Sequence, residues 1–242
     1  MAMPNTEPNE TSLNETNMKP IIEHAWNVSQ AEASQIQKAL SKKVIQNDLF
    51  NDIATVAGVD VAYYKESDDL IAAIVILDAK TLNPIETFTV KEKASFPYIP
   101  GLFSFRELPP IIKAFEKIQH EPDLIVCDGQ GFAHPRRFGL ACHLGVIFDL
   151  PTIGCGKTKL IGDYTPPEKQ RGSKSPLIHE QETIGYALCT QNNVNPVFVS
   201  IGHRISPLTA CDWILKLSPK YRLPETTRLS DQAVRSAQKI TQ

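Results

Sequence analysis

Between Thr55 and Lys93 the chain carries three strand-like segments in immediate succession: Thr55 to Tyr64, Leu70 to Asp78 and Pro84 to Lys93. β-Branched and aromatic residues dominate each of them, and short polar turns separate them. Connections this short leave room only for antiparallel neighbours. After Lys93 the pattern becomes alternation, with a helical segment Leu108 to Gln119, a strand Asp123 to Asp128, a helix Phe138 to Phe148 and a strand Pro151 to Cys155. Alternation of this kind implies parallel crossovers. A helix from Val28 to Phe50, capped by Ser29, precedes the strands. A helix around His179 to Gln191, a strand Pro196 to Ile201 and a helix Pro207 to Leu217 follow.

Three antiparallel strands feeding parallel strands, all flanked by helices, is the order of a ribonuclease H-like α/β domain with a mixed sheet. With 242 residues, 42% of them hydrophobic, the chain can bury a full core, and one catalytic domain over residues 21–242 is the simplest division. Residues 1–20, rich in Asn, Thr, Glu and Pro, are expected to form a disordered tail. A net charge of −2 means that nucleic-acid contact has to rest on a local basic surface. Lys157, Lys159, Lys169, Arg171 and Lys174 offer one, with Arg136 and Arg137 upstream, although a solvated, salt-bridged loop explains the same run. The five cysteines include no Cys-x-x-Cys pair and read as buried thiols in a reducing compartment. No signal-peptide pattern or membrane-length apolar run occurs, so a cytoplasmic protein with no membrane partner is expected.

The stretch from Asp123 to Gly145 ends a buried-strand pattern in concentrated polar chemistry: Asp128, Gly129, Gly131, His134, Arg136, Arg137 and His143. Asp60 lies within Val56-Ala-Gly-Val-Asp-Val-Ala-Tyr63, a run otherwise suited to burial, where an unpaired carboxylate is costly. Strands lying side by side bring Asp60 and Asp128 to one end of the sheet, where they repel unless a divalent cation stands between them. Oxygen ligands without a cysteine cluster favour magnesium or manganese over zinc. Glu107, before Pro109-Pro110, is a third candidate, though an acid at a helix N-terminus needs no further reason. Gly154-Cys-Gly-Lys-Thr158 is not a phosphate loop, because Pro151 stands where its first glycine belongs; Lys157 remains as a phosphate partner. His203 ends a later strand and is a further candidate for the same site, although a lone histidine after a strand is more often structural than catalytic. Pro97 and Pro100 stiffen an aromatic loop, and Tyr98 on it can wedge between stacked bases.

Together these segments resemble the bacterial endonuclease V family. The resemblance runs from about Asp60 to Arg228 through Val-Ala-Gly-Val-Asp60, Pro97-Tyr-Ile-Pro-Gly-Leu-Phe-Ser-Phe-Arg-Glu107, Asp128-Gly-x-Gly-x-x-His134-Pro-Arg, Pro151-Thr-Ile-Gly-Cys-x-Lys157 and Gly202-His203. It implies a ribonuclease H-like fold and a magnesium-dependent DNA-repair endonuclease, with manganese as a substitute. Such an enzyme acts at deoxyinosine and hydrolyses the second phosphodiester bond 3′ to the lesion, leaving 3′-hydroxyl and 5′-phosphate ends. Asp60, Glu107 and Asp128 are then the metal carboxylates, with His134 and Lys157 near the scissile phosphate. Pro97, Tyr98, Ile99, Pro100, Gly129, Lys157 and His203 are the DNA contacts, and a monomer suffices on double-stranded or single-stranded substrate. A non-catalytic lesion-binding module and an inosine-specific ribonuclease are the alternatives. Gln130, Gly156 and Ile201 depart from the family pattern, and none of them removes a carboxylate.

Overall fold

The computed structural model describes residues 18–64 and 67–240. The expected tail falls mostly on residues 1–17, outside the described residues, whereas Met18 is already buried in the core. The elements are α1 (Gln30–Leu40), β1 (Thr55–Tyr63), β2 (Asp69–Asp78), β3 (Pro84–Lys93), α2 (Phe103–Phe115) and β4 (Leu124–Cys127). Then come α3 (Leu140–Phe148), β5 (Thr152–Gly156), β6 (Lys174–His179), β7 (Glu182–Leu188), β8 (Val197–His203), α4 (Pro207–Leu217) and α5 (Glu225–Ile240).

The eight strands form one sheet in the order β3-β2-β1-β4-β5-β8-β7-β6. The first three strands are antiparallel neighbours, β4 and β5 continue parallel to β1, and β8 returns antiparallel to β5. This is the mixed, ribonuclease H-like order expected, with its parallel part confined to β1, β4 and β5. Alternation along the strands sorts the apolar side chains. Ala57, Val59, Ile74, Ile76, Ile125 and Cys127 pack with α2 and α3. Val56, Val75, Leu77, Val126 and Ile153 face a second core that includes α4, while Ile71 and Ala73 meet Val234 of α5. The five cysteines are free and buried.

Three local expectations change. The first helix is shorter than Val28 to Phe50. Ser29 caps it through a reciprocal pair with Glu32, but after a 3-10 turn at Ser41–Lys43 the chain runs extended, and Ile45 exchanges hydrogen bonds with His203 and Arg204. The segment His179 to Gln191 is not a helix: it turns from β6 into β7 at Glu180 and Gln181, both at positive φ. Asn and Gly ordinarily signal such a turn, and two helix-forming residues concealed it. In α2 the helix begins at Phe103, so Pro109 and Pro110 lie inside it and Glu107 sits in its second turn.

The polar helix α5 was not anticipated. It buries small residues, Thr226, Thr227 and Ser230, against β1, and a Cβ at Gly58 would stand 2.2 Å from the Thr226 carbonyl oxygen. Because that neighbour is backbone, Gly58→Ala should lower stability by about 2–3 kcal/mol, measured as a shift in the urea midpoint.

Candidate active site

The register of β1 on β4 pairs Val59 with Cys127 in parallel, so the next residues, Asp60 and Asp128, stand side by side where β4 ends and β1 runs on beside β2. Asp128 follows β4 directly, and its N–H points to the Val59 carbonyl at 3.5 Å. The third parallel strand, β5, ends at Gly156, and Lys157 just beyond it places Nζ 2.5 Å from Asp128 Oδ2. Glu107 reaches the same point from α2, and the Tyr63 hydroxyl donates to its Oε1 at 2.5 Å. The carboxyl ends of parallel strands in an open α/β sheet are where such folds bind ligands.

The electrostatics follow from this crowding. Burial and then the neighbouring Asp128 carboxylate raise Asp60 to about 7, despite the hydrogen bond it accepts from Val61 N–H. Burial raises Glu107 to about 7 as well, with Asp60 and Asp128 adding to the shift and the Tyr63 hydrogen bond opposing it. A set of clustered oxygen donors short of positive charge is the chemistry of a hard-cation site. Among the described residues no three His, Cys, Asp or Glu side chains are grouped closely enough to enclose an ion unaided. Magnesium needs no such cage, since it keeps several waters and uses one or two carboxylates together with substrate phosphate. The donors present therefore fit it.

A fourth carboxylate joins from α5. Asp231 lies near enough to raise both Asp60 and Lys157, while Arg235 holds it at 2.9 Å. Sequence reading missed it because α5 itself went unrecognised. Its one local signal is the Asp231–Arg235 spacing of an i,i+4 pair on a helix.

Glu107, Asp128 and Lys157 open onto a cleft of about 440 Å³, lined also by Tyr63, Tyr98, Gly129, Gln130 and His134. Tyr98 is 64% exposed at the rim and rests on the ring of Phe103, while Ile99 packs inward beside Phe96 and Phe105. The loop bearing them is clamped at one atom. The Gly101 carbonyl accepts from Gln37 Nε2 at 3.1 Å, His134 Nε2 at 3.0 Å and Arg136 Nη2 at 2.6 Å.

His134 thus has a different immediate task from the one expected. Its Nδ1 accepts from Arg136 N–H at 3.2 Å, so both ring nitrogens are committed within the protein. His203 is not gathered into the cleft: it is buried with Nδ1 accepting from Ile45 N–H and Nε2 against Asp149 at 3.1 Å. Gly129 and Gly131 do not have positive φ. Gly131 is needed for close approach, since a Cβ there would lie 2.0 Å from the Ile201 carbonyl oxygen. His143 is buried between Ser104 and His24, and Arg137 binds Glu182. In the basic loop Lys157 and Lys159 line the cleft, but Arg171 is spent on the carbonyls of Thr190, Leu215 and Ser218.

The model of the endonuclease V family matches residues 38–232, a span that includes all four carboxylates and Lys157. The chain belongs to the endonuclease V family. The endonuclease V of Roseiflexus castenholzii is 46% identical over 214 residues, covering 88% of this chain and 96% of that protein. The crystal structure of endonuclease V from Streptomyces avermitilis superposes with a TM-score of 0.86 at 46% identity, covering 93% of this chain and 99% of the other. That of Ciona intestinalis endonuclease V, in complex with a 24mer DNA containing an inosine followed by a ribo-adenosine, gives 0.77 at 28% identity over 88% and 98%. Membership in the endonuclease V family makes this protein a nuclease. No helix among its described residues is long and apolar enough to cross a membrane.

Burial, and then the Arg136 charge, push His134 down to about 4. The unfolded chain takes up this proton near pH 6.5 and the folded chain only near pH 4, so the His134 contribution to stability rises with pH across that window, while Asp60 and Glu107, raised to about 7, contribute in the opposite direction. Relative to the parent, His134→Gln should therefore lose less stability on going from pH 6.5 to pH 4.5, read as the difference between the two proteins' urea midpoints at those pH values. His24 and His203 shift in the same direction and retain part of that loss in the variant.

Proposed function

We propose that this nuclease recognises deaminated bases in DNA, deoxyinosine above all, and hydrolyses the second phosphodiester bond 3′ to the lesion, leaving 3′-hydroxyl and 5′-phosphate ends. One observation carries the reading: Asp60 and Asp128 stand side by side on adjoining parallel strands, and Asp128, Glu107 and Lys157 line one cleft beneath an exposed aromatic rim. Asp60, Asp128 and Glu107 are the residues that would hold magnesium, or manganese in its place. When bound, the ion supplies the charge that polarises the phosphate and acidifies water for in-line attack. Tyr63 keeps Glu107 oriented through its hydroxyl. Lys157, paired with Asp128, is placed to turn its ammonium to a phosphate oxygen as substrate enters. Tyr98 fills the gap that an extruded base leaves in the stack, and hypoxanthine, which pairs poorly, costs less to extrude than a normal base.

The protein is read as a cytoplasmic monomer working on double-stranded DNA and on single strands. Inosine-containing RNA is the second reading, favoured by the ribo-adenosine beside the inosine in the Ciona intestinalis complex.

With magnesium, a duplex bearing one deoxyinosine should receive one nick 3′ to the lesion while the unmodified duplex stays intact; equal cutting of both ends the proposal. A matched inosine RNA in the same assay decides the second reading. Asp60→Ala and Asp128→Ala should each slow cleavage roughly a thousandfold, or about 4 kcal/mol, with lesion binding preserved in calcium; cleavage at the parental rate shows that the carboxylate is misassigned. Tyr98→Ala should slow nicking of the duplex more than tenfold and nicking of a single strand less than twofold, since only the duplex needs the wedge; equal losses on both would remove Tyr98 from that role.

A further inference from the structure

A hydrogen-bonded chain of side chains runs from half-buried His24, through His143, to Ser104 in the wall of the cleft. His143 belongs to α3, which is buried along its whole length, and its ring lies among Trp26, Phe105 and Phe138. Its Nδ1 is 2.9 Å from Ser104 Oγ on α2, and its Nε2 is 2.7 Å from His24 Nε2. The two rings lie 4.9 Å apart between centroids with planes 25° apart, which keeps the shared hydrogen close to both ring planes.

The outer end of the chain fixes every proton in it. His24 Nδ1 lies 2.9 Å from the Ala25 carbonyl, which can only accept, so Nδ1 carries the hydrogen and Nε2 of the neutral ring is bare. His143 Nε2–H therefore donates to His24, and His143 Nδ1 is left to accept from the Ser104 hydroxyl. Burial lowers the proton affinity of both rings, and His24 lowers that of His143 further, which keeps both in the neutral form this order needs.

The start of α2 has few restraints of its own. No side chain caps it, and Pro109 and Pro110 have no N–H to give the carbonyls of Phe105 and Arg106. Ser104 and Glu107 bracket those two residues, stand one turn apart on one face of the helix, and both line the cleft. Arg106 ties this stretch only to the Phe96 carbonyl of the loop before it, at 2.7 Å, whereas Ser104 ties it to α3. We propose that His143 and His24 are positioning residues for the nuclease reaction: through Ser104 they hold the start of α2 so that Glu107 faces Asp60 and Asp128. The assignment rests on reading those three as the metal carboxylates. His24 precedes residue 38, where the match to the family model begins, so a segment outside that span contributes to the site. Without the His24 acceptor a buried N–H is left unpaired, and the ring has to turn to satisfy it and release Ser104.

The test sets His24→Leu, which removes the acceptor, against His24→Gln, whose Oε1 restores one. On a deoxyinosine duplex in magnesium, His24→Leu should lower kcat tenfold or more and change KM less than twofold. It should also weaken manganese binding to the DNA-free protein at least threefold, read by electron paramagnetic resonance. His24→Gln should bring both back to within twofold of the parent. Ser104→Ala cuts the chain at its other end, should show the same losses, and serves in place of His24→Leu should that variant not fold. The double variant should lose no more than either single one, because both release one contact. Parental kcat and manganese binding in His24→Leu, a loss confined to KM, or equal losses in the Leu and Gln variants overturn the assignment while leaving the nuclease reading intact. A parental protein that does not nick deoxyinosine DNA in magnesium overturns the reading of the carboxylates and this inference with it.

Discussion

Two carboxylates on adjacent parallel strands, at the positions just past Val59 and Cys127, are the constraint around which this molecule is arranged. Neighbouring strands lie roughly 5 Å apart, so the pair cannot be relieved by moving a side chain away. The apolar alternation of β1 and β4 fixes the register, and a slip of one residue would turn every core residue to the wrong face. Hydrophobic burial along the strands thereby holds two like charges together where β4 ends beside β1. Lys157 from the third parallel strand relieves part of the repulsion on one side, and Glu107 adds to it on the other.

The rim of the cleft is held by different means. A single carbonyl, that of Gly101, gathers donors from α1, from the turn after β4 and from Arg136, and Arg136 also binds Gln37 Oε1 at 2.5 Å. An exposed tyrosine on a loop with two prolines gains a fixed base in this way, because the donors below it belong to rigid elements. The histidine that looks catalytic in sequence is one of those donors. Its low proton affinity keeps it neutral at ordinary pH, with Nδ1 free to accept and Nε2–H to donate.

On the opposite face, α5 closes the sheet behind Asp60. Its first two turns bury Thr226, Thr227 and Ser230 rather than large apolar groups, because Gly58 lets the helix backbone come down onto the strand, and Val234 follows against β2. That close seating brings Asp231 within electrostatic reach of Asp60 and Lys157. Packing of small residues on one glycine therefore decides that a fourth carboxylate stands at the site.

The sequence by itself determined the strands β1 to β3 and the alternation after them, and it marked Asp60, Asp128 and Lys157, since a charged group within or just past an apolar run is visible without neighbours. It did not determine the β6–β7 hairpin, whose turn uses Glu180 and Gln181, or α5, whose polar composition conceals a buried face. It also misplaced His203, which follows a strand as Asp128 does. His203 ends β8, which runs antiparallel to β5, so it lies beside Thr152 where β5 begins, at the opposite end of the strands from the carboxylates. Strand direction, helix seating and the partners of each ring nitrogen are contacts between residues far apart in the chain. Only the tertiary structure, where those contacts form, could decide them.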